Sequence, residues 1–104
     1  MTARLAVHFT LRAAGHVREA GRRWHANRTR APAALREELA RALQLVTAQP
    51  DAGAIARNVR LLGVRRVLLR RVNYHLYYRL VDVPSRSIQV VALWHAGRGD
   101  DPVL

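Results

Sequence analysis

The chain has 104 residues, and its 18 basic side chains outnumber its 7 acidic ones, which gives a formal net charge of +11 at pH 7. A chain of this length holds one core, so we expect a single domain over residues 1–104. Lysine and cysteine are both absent, which excludes disulfides, thiolate metal sites and lysine chemistry. Because arginine binds phosphate and carboxylate groups bidentately, the charge favours nucleic acid or an acidic protein as the partner.

The sequence offers no motif for a cofactor or a metal. Five histidines are scattered without metal-ligand spacing, and no glycine-rich phosphate loop is present. We therefore expect no cofactor and no metal, and a solvated chain end at Asp100 and Asp101. Residues 1–10 carry neither a signal-like apolar block nor a span long enough for a membrane, so a cytoplasmic protein is expected.

The first two elements are a strand and a helix. Leu5, Val7 and Phe9 alternate with polar or small residues, which predicts a strand with one buried face. Apolar residues then recur at helical spacing from Leu11, and the helix should end within residues 27–31. Thr10 is placed to cap its N-terminus.

A second helix is predicted from Ala33 to about Gln49, with Pro50 just beyond its end. The short connection between the helices predicts an antiparallel helical hairpin. Residues 51–62 are interrupted by glycine and show no clean pattern, so we expect a loop there, with room for a short strand.

Three antiparallel strands should complete the fold. Residues 64–71, 75–81 and 87–94 are rich in β-branched and aromatic side chains and are separated by turn-like breaks. The fold class is therefore α+β, in the order β-α-α-β-β-β, with both helices packed on one face of a small antiparallel sheet.

The last hairpin predicts two different faces. A three-residue loop at 84–86 would place Val83 opposite Ser87 and put one alternating set on the core side. The core set is Leu76, Tyr78, Leu80, Ile88, Val90, Ala92 and Trp94. The opposite, polar set is His75, Tyr77, Arg79, Val81, Gln89, Val91, Leu93 and His95. We expect the polar set to form the working surface.

The C-terminal half resembles the RelE/ParE superfamily of toxins from type II toxin–antitoxin modules. The resemblance is carried by residues 64–82 and 88–98, including the sequence motifs YYR and WHxxR. The N-terminal half agrees in element order alone. This resemblance implies an acidic cognate antitoxin, which would wrap the toxin in a hetero-oligomer and could add a strand at a sheet edge.

The superfamily implies two mechanisms, and fold alone does not choose between them. RelE-like members cut messenger RNA on the ribosome, and in such a nuclease Arg79 and Arg98 would hold the phosphate while His95 would move the proton. A structural role for His95 at a strand end is the alternative. The aromatic or imidazole group that RelE-type nucleases typically add after the last arginine is absent, as are the lysines that some of them use.

ParE-like members inhibit DNA gyrase, and their tails commonly close with histidine, arginine and aspartate, much as residues 95–100 do here. The resemblance therefore favours a ParE-like gyrase inhibitor over a RelE-like nuclease. Its target-binding residues would be Arg98, Arg79, His95, Tyr77, Arg71 and Arg65. A third possibility, allowed by charge alone, is a basic nucleic-acid-binding module without toxicity.

Overall fold

The computed structural model describes residues 4–27 and 30–104. Residues 1–3, which begin the expected N-terminal segment, and residues 28–29, within the expected end of the first helix, lie outside the described residues. The elements are β1 (Ala6–Phe9), α1 (Leu11–Asn27), α2 (Ala34–Ala48), β2 (Ala54–Ile55), β3 (Arg65–Leu69), β4 (Tyr74–Val81) and β5 (Ser87–His95).

The predicted α+β class and element order are confirmed, and the sheet is mixed. Its strand order is β1-β5-β4-β3-β2. The strands β2 to β5 pair antiparallel, whereas β1 runs parallel to β5 from Ala6 opposite Ser87 to Phe9 opposite Val90. The expectation of a wholly antiparallel sheet is wrong for the pair of β1 and β5. The spacing of apolar residues predicts strands but not their order, and the order here places β1 beside the last strand.

The helix signals in the sequence act as expected. The Thr10 hydroxyl accepts a hydrogen bond of 3.0 Å from the backbone N–H of Ala13, so Thr10 is the N-cap of α1. The main core lies between the helices and the sheet. Its helical contribution includes the small buried residues Ala13, Ala20 and Ala42, which allow the helix backbones to approach the sheet closely.

A β-bulge in β5 changes the faces of the last hairpin. Tyr78 pairs with Val90 but Tyr77 pairs with Ala92, so Val91 is an extra residue. Beyond the bulge Leu93 joins the helix-side core, whereas Ala92 belongs to a cluster on the other face. The prediction that Ala92 and Trp94 share the helix-side face is therefore wrong.

The turn between β4 and β5 also differs from the prediction. Val81, and not Val83, lies opposite Ser87, which leaves residues 82–86 as the loop. Because the shift on this strand is two residues, Leu80 and Ile88 still share a face, as expected.

The second face of the sheet is covered by a smaller core. Residues 56–64 and the end of the chain pack over it, and the cluster consists of Ala56, Val59, Leu61, Val64, Tyr77, Val91, Ala92, Trp94 and Leu104. The indole Nε1 of Trp94 donates to the carbonyl of Asp100 over 3.0 Å, and Arg12 donates to the carbonyl of Val103. These bonds hold the backbone of the chain end against the sheet, while Asp100 and Asp101 are exposed, as the sequence predicts.

Candidate functional site

A groove opens at the end of the sheet where β5 stops. It has a volume of 540 Å³ and lies between the C-terminal half of α1 and the turn that joins β3 to β4. We call it the basic groove, and it is lined by Arg23, Trp24, Asn27, Arg71, Val72, Asn73, Tyr74 and His95.

The turn from β3 to β4 positions one wall of the basic groove. Asn73 has a positive φ of 59°, a conformation that asparagine tolerates better than most residues. Its N–H donates to the carbonyl of Leu69 over 2.8 Å, and its carbonyl accepts from the N–H of Ala96 over 2.8 Å. The turn is thereby tied to the end of β5, which fixes Arg71 and His95 at the same end of the sheet.

His95 holds its own turn through one ring nitrogen. Its Nδ1 accepts a hydrogen bond of 3.1 Å from the N–H of Gly97. A side chain at Gly97 would bring a Cβ to 3.0 Å from the His95 ring, so glycine permits this close approach. The ring also meets Tyr74 edge to face, with centroids 5.1 Å apart. These contacts support the structural role for His95 at a strand end.

Two arginines on different elements face the basic groove. Arg23 of α1 lies 3.3 Å from a carboxylate oxygen of Glu19, and Arg71 lies 3.4 Å from Glu37. The Arg23 and Arg71 side chains remain 62% and 48% exposed. Long ion pairs between exposed groups contribute little to stability and exchange readily with other anions.

Arg98 lies beside the groove, in a small recess that shares Arg23, Tyr74 and His95 with it. Its guanidinium carbon stacks 3.9 Å from the centroid of the Trp94 ring, and its Nε lies 3.3 Å from Asp100. Burial raises the pKa of the Tyr74 hydroxyl, while Arg23 and Arg98 act in the opposite direction, which places their positive charge close to this hydroxyl.

The predicted site residues fall into two groups. Arg71, His95 and Arg98 meet around the basic groove, but Arg65 and Arg79 lie toward the other end of the sheet. The Nε of Arg79 donates to Gln89 over 2.8 Å, and Arg65 donates to the carbonyl of Gly53 over 2.8 Å. Gln89 precedes His95 by six residues on β5, which corresponds to roughly 20 Å of strand.

Tyr77 is buried, with 1% of its surface exposed. Its hydroxyl accepts hydrogen bonds from Asn58 over 3.0 Å and from Arg66 over 3.4 Å. The expectation that only one of Tyr77 and Tyr78 is core is wrong, because the second core covers the face on which Tyr77 lies. Tyr77 supports the fold from within and is not placed to touch a target.

Sequence reasoning missed the part of the groove that α1 supplies. Arg23 lines the groove, and His16 and Glu19 join it around the adjoining recess. Their spacing of three and four residues places them on one face of a helix, so the signal was present in the sequence. What the sequence did not show was that this face lies beside the end of β5.

The described part of the chain holds no cluster of three or more histidine, aspartate or glutamate side chains that could bind a metal ion. Within residues 4–27 and 30–104, no helix has the length and apolar character needed to cross a membrane.

Comparison with known proteins agrees with this architecture. The family model described as "ParE toxin of type II toxin-antitoxin system, parDE" matches residues 7–99. A solved structure from P. aeruginosa, described as a chromosomal ParDE TA system, superposes with a TM-score of 0.67 at 15% identity, covering 88% of this chain and 95% of that one. At this identity the structural likeness shows the fold alone. A comparison with curated protein sequences finds no match.

The family match shows that the chain is a toxin component of a type II toxin–antitoxin system, and the observed α+β fold agrees with it. Within that class, the chain belongs to the ParE toxin family.

Proposed function

We propose that residues 1–104 act in the cytoplasm as one ParE-like toxin domain, which inhibits growth by acting on DNA gyrase and is neutralised by a cognate antitoxin. The observation that supports inhibition without hydrolysis is the separation of Arg79 from His95. A nuclease needs its phosphate ligand and its proton carrier at one scissile phosphate, within hydrogen-bond reach. About 20 Å of strand lies between the two positions here.

The rest of a nuclease centre is also weak. Nδ1 of His95 already accepts a hydrogen bond from Gly97, and Tyr77 is enclosed by the second core. The RelE-like mechanism would therefore have to depend on Arg98 and the free side of one imidazole. Inhibition by surface contact needs no such assembly, because charge and shape complementarity suffice for binding.

For the antitoxin, the geometry supports docking along β3. The short strand β2 pairs only with Arg65 and Arg66 of β3. From Val67 onward, β2 does not cover the outer edge of β3. Beside that edge lies a mostly apolar groove of 410 Å³, lined by Glu38, Arg41, Ala42, Leu45, Val67, Leu68, Leu69 and Arg70. We call it the α2–β3 groove.

An unpaired edge next to an apolar groove suits an extended partner segment with alternating side chains. Its backbone would add a strand to β3, its apolar side chains would contact Leu45, and its acidic side chains would meet Arg41 and Arg70. Leu45 and Leu68 are each 40% exposed in the isolated chain, so a partner would remove apolar surface from water. The high positive charge of the toxin would steer an acidic partner toward it.

The test adds purified toxin to a gyrase supercoiling reaction and, in parallel, to ribosomes programmed with a messenger. We expect loss of supercoiling and an intact messenger. Cuts at codon positions with normal supercoiling would establish the RelE-like alternative. His95→Ala and Arg98→Ala refine the result. A nuclease that uses His95 loses its chemical step in His95→Ala, whereas a gyrase inhibitor that uses both residues for contact loses affinity in each variant while its fold survives.

Neutralisation is tested in cells. Expression of the chain alone should arrest growth, and co-expression of a small acidic protein encoded beside it should restore growth. Normal growth on expression of the chain alone, with the folded protein detectable, would contradict the toxin assignment.

A further inference from the structure

We propose that the basic groove binds the phosphate backbone of a single nucleic-acid strand, with Arg23 and Arg71 gripping successive phosphates from opposite walls. This ligand goes beyond the proposed action on gyrase and does not depend on it.

Within the described residues, the carboxylates beside the groove do not fully neutralise Arg23 and Arg71. Glu19 lies 2.5 Å from Arg22 as well as 3.3 Å from Arg23, so one carboxylate serves two guanidinium groups. In the part of the chain that the structure describes, the guanidinium of Arg71 pairs with one carboxylate, Glu37, at 3.4 Å, while its backbone N–H donates to Glu38 over 3.2 Å. A phosphate between the walls would replace these long contacts with bidentate, charge-assisted hydrogen bonds, which are shorter and stronger.

The remaining lining fits the other parts of a nucleotide. Asn73 presents a side-chain amide, Tyr74 a hydroxyl, and Trp24 and His95 present aromatic rings. Amide and hydroxyl groups bond to sugars and base edges, while aromatic faces stack on bases in single strands. The volume of 540 Å³ is within the range of about 300–1,000 Å³ that holds one small ligand. A groove of this size has room for a nucleotide of a single strand.

The two grooves of the molecule also suit different ligands. The α2–β3 groove is mostly apolar and borders an unpaired strand edge, which suits a peptide. The basic groove is polar and lies at the end of the sheet, where Asn73 is already bonded to Ala96. Its chemistry is that of phosphate recognition, and an acidic antitoxin segment there is the alternative that the test must exclude.

The experiment measures binding of fluorescently labelled 12-nucleotide single strands, one DNA and one RNA of the same sequence, over a range of salt concentrations. The groove variant is Arg23→Gln/Arg71→Gln. The matched control is Arg18→Gln/Arg57→Gln, which removes the same charge from two exposed arginines that do not line the groove. Circular dichroism and urea unfolding establish that both variants are folded.

We expect the groove variant to bind at least tenfold more weakly. The slope of log K against log salt should fall by about 1.4, because each phosphate released from contact on a single strand contributes about 0.7. The control should lose less than threefold. The strand bound more tightly identifies the ligand as DNA or RNA. In NMR titrations, the backbone amides of Asn73, Tyr74 and His95 should shift first.

Equal losses in both variants would overturn the proposal, since the charge would then act diffusely. The same holds if the wild type binds neither strand, or if the groove variant loses affinity for the antitoxin alone. Gyrase inhibition is measured separately on the same preparations. Strand binding without gyrase inhibition would contradict the proposed function and support the groove assignment. Gyrase inhibition without strand binding would support the proposed function and contradict the groove assignment.

Discussion

His16 and Leu93 are joined by a hydrogen bond at the part of β5 that the edge strand β1 does not cover. The backbone N–H of Leu93 donates to Nδ1 of His16 over 3.3 Å. The strand β1 pairs with β5 only as far as Val90, so a helix side chain replaces a strand partner at this point. The bond requires a neutral imidazole, because protonated Nδ1 has no lone pair to accept it.

The stability of the fold should therefore fall on mild acidification. Burial lowers the pKa of His16, and Arg12 and Arg98 lower it further. Above the unfolded value of about 6.5 the imidazole is neutral in both states and the bond contributes fully. As the pH falls below 6.5, the unfolded chain takes up a proton that the folded chain resists, so the free energy of unfolding decreases until the folded pKa is reached.

Urea unfolding between pH 5.5 and 7.5 measures this dependence. His16→Asn keeps an acceptor without a titrating ring, so its stability should vary less with pH than that of the wild type. A smaller slope of the same sign should remain, because burial and Arg66 also lower the pKa of His75. His25→Asn on the exposed face of α1 is the control and should retain the wild-type slope. An unchanged slope in His16→Asn would contradict the assignment.

The elements of this fold could be predicted from the sequence because their signals are local. The hydroxyl of Thr10, the helical apolar stripes and Pro50 depend on a few neighbouring residues, and the structure agrees with them. The parallel pairing of β1 depends on which distant strand it meets, and the spacing of apolar residues does not determine this. The bulge at Val91 breaks strict alternation, and it therefore reversed the expected faces for Ala92, Leu93 and Trp94.

The candidate site was predictable only in part for the same reason. Arg71, His95 and Arg98 could be grouped from the hairpin, but their meeting with Arg23 depends on how α1 lies across the sheet. Tyr77 was misplaced because alternation alone assigns it to solvent. The second core that buries it is formed by residues 56–64 and the chain end, which have no regular period.

Gly53 should tolerate no side chain. A Cβ there would lie 2.7 Å from the Tyr78 hydroxyl and 2.9 Å from the Arg66 carbonyl, which is backbone and cannot move aside. We expect Gly53→Ala to lower the free energy of unfolding by about 1–3 kcal/mol. Gly21→Ala should do the opposite by about 0.5–1 kcal/mol, because this helix position has open space and alanine is the better helix former. Two changes of the same sign in urea unfolding would contradict this account.

The Tyr78 hydroxyl should be required for the connection after α2. It accepts from the N–H of Gly53 and donates to the carbonyl of Pro50, each over 2.8 Å. Tyr78→Phe leaves the buried Gly53 N–H without its partner, so we expect a loss of about 1–3 kcal/mol in the free energy of unfolding. Tyr74→Phe removes the same atom from another buried tyrosine, whose hydroxyl makes no hydrogen bond within the described residues, and should therefore cost less than Tyr78→Phe. Equal losses of stability in the two variants would show that the hydrogen bonds from Tyr78 to Pro50 and Gly53 add no stability of their own.

Antitoxin binding should depend on Leu45 far more than on another exposed leucine. Leu45 is 40% exposed within the α2–β3 groove, whereas Leu62 is 86% exposed and lies outside it. Leu45→Ser should weaken antitoxin affinity by about threefold to eightfold, because a partner buries only the exposed 40% of a residue whose full burial contributes about 1.5–3 kcal/mol. Leu62→Ser should bind within twofold of the wild type. Calorimetric titration of both variants decides the matter, and normal affinity in Leu45→Ser would place the antitoxin on another surface.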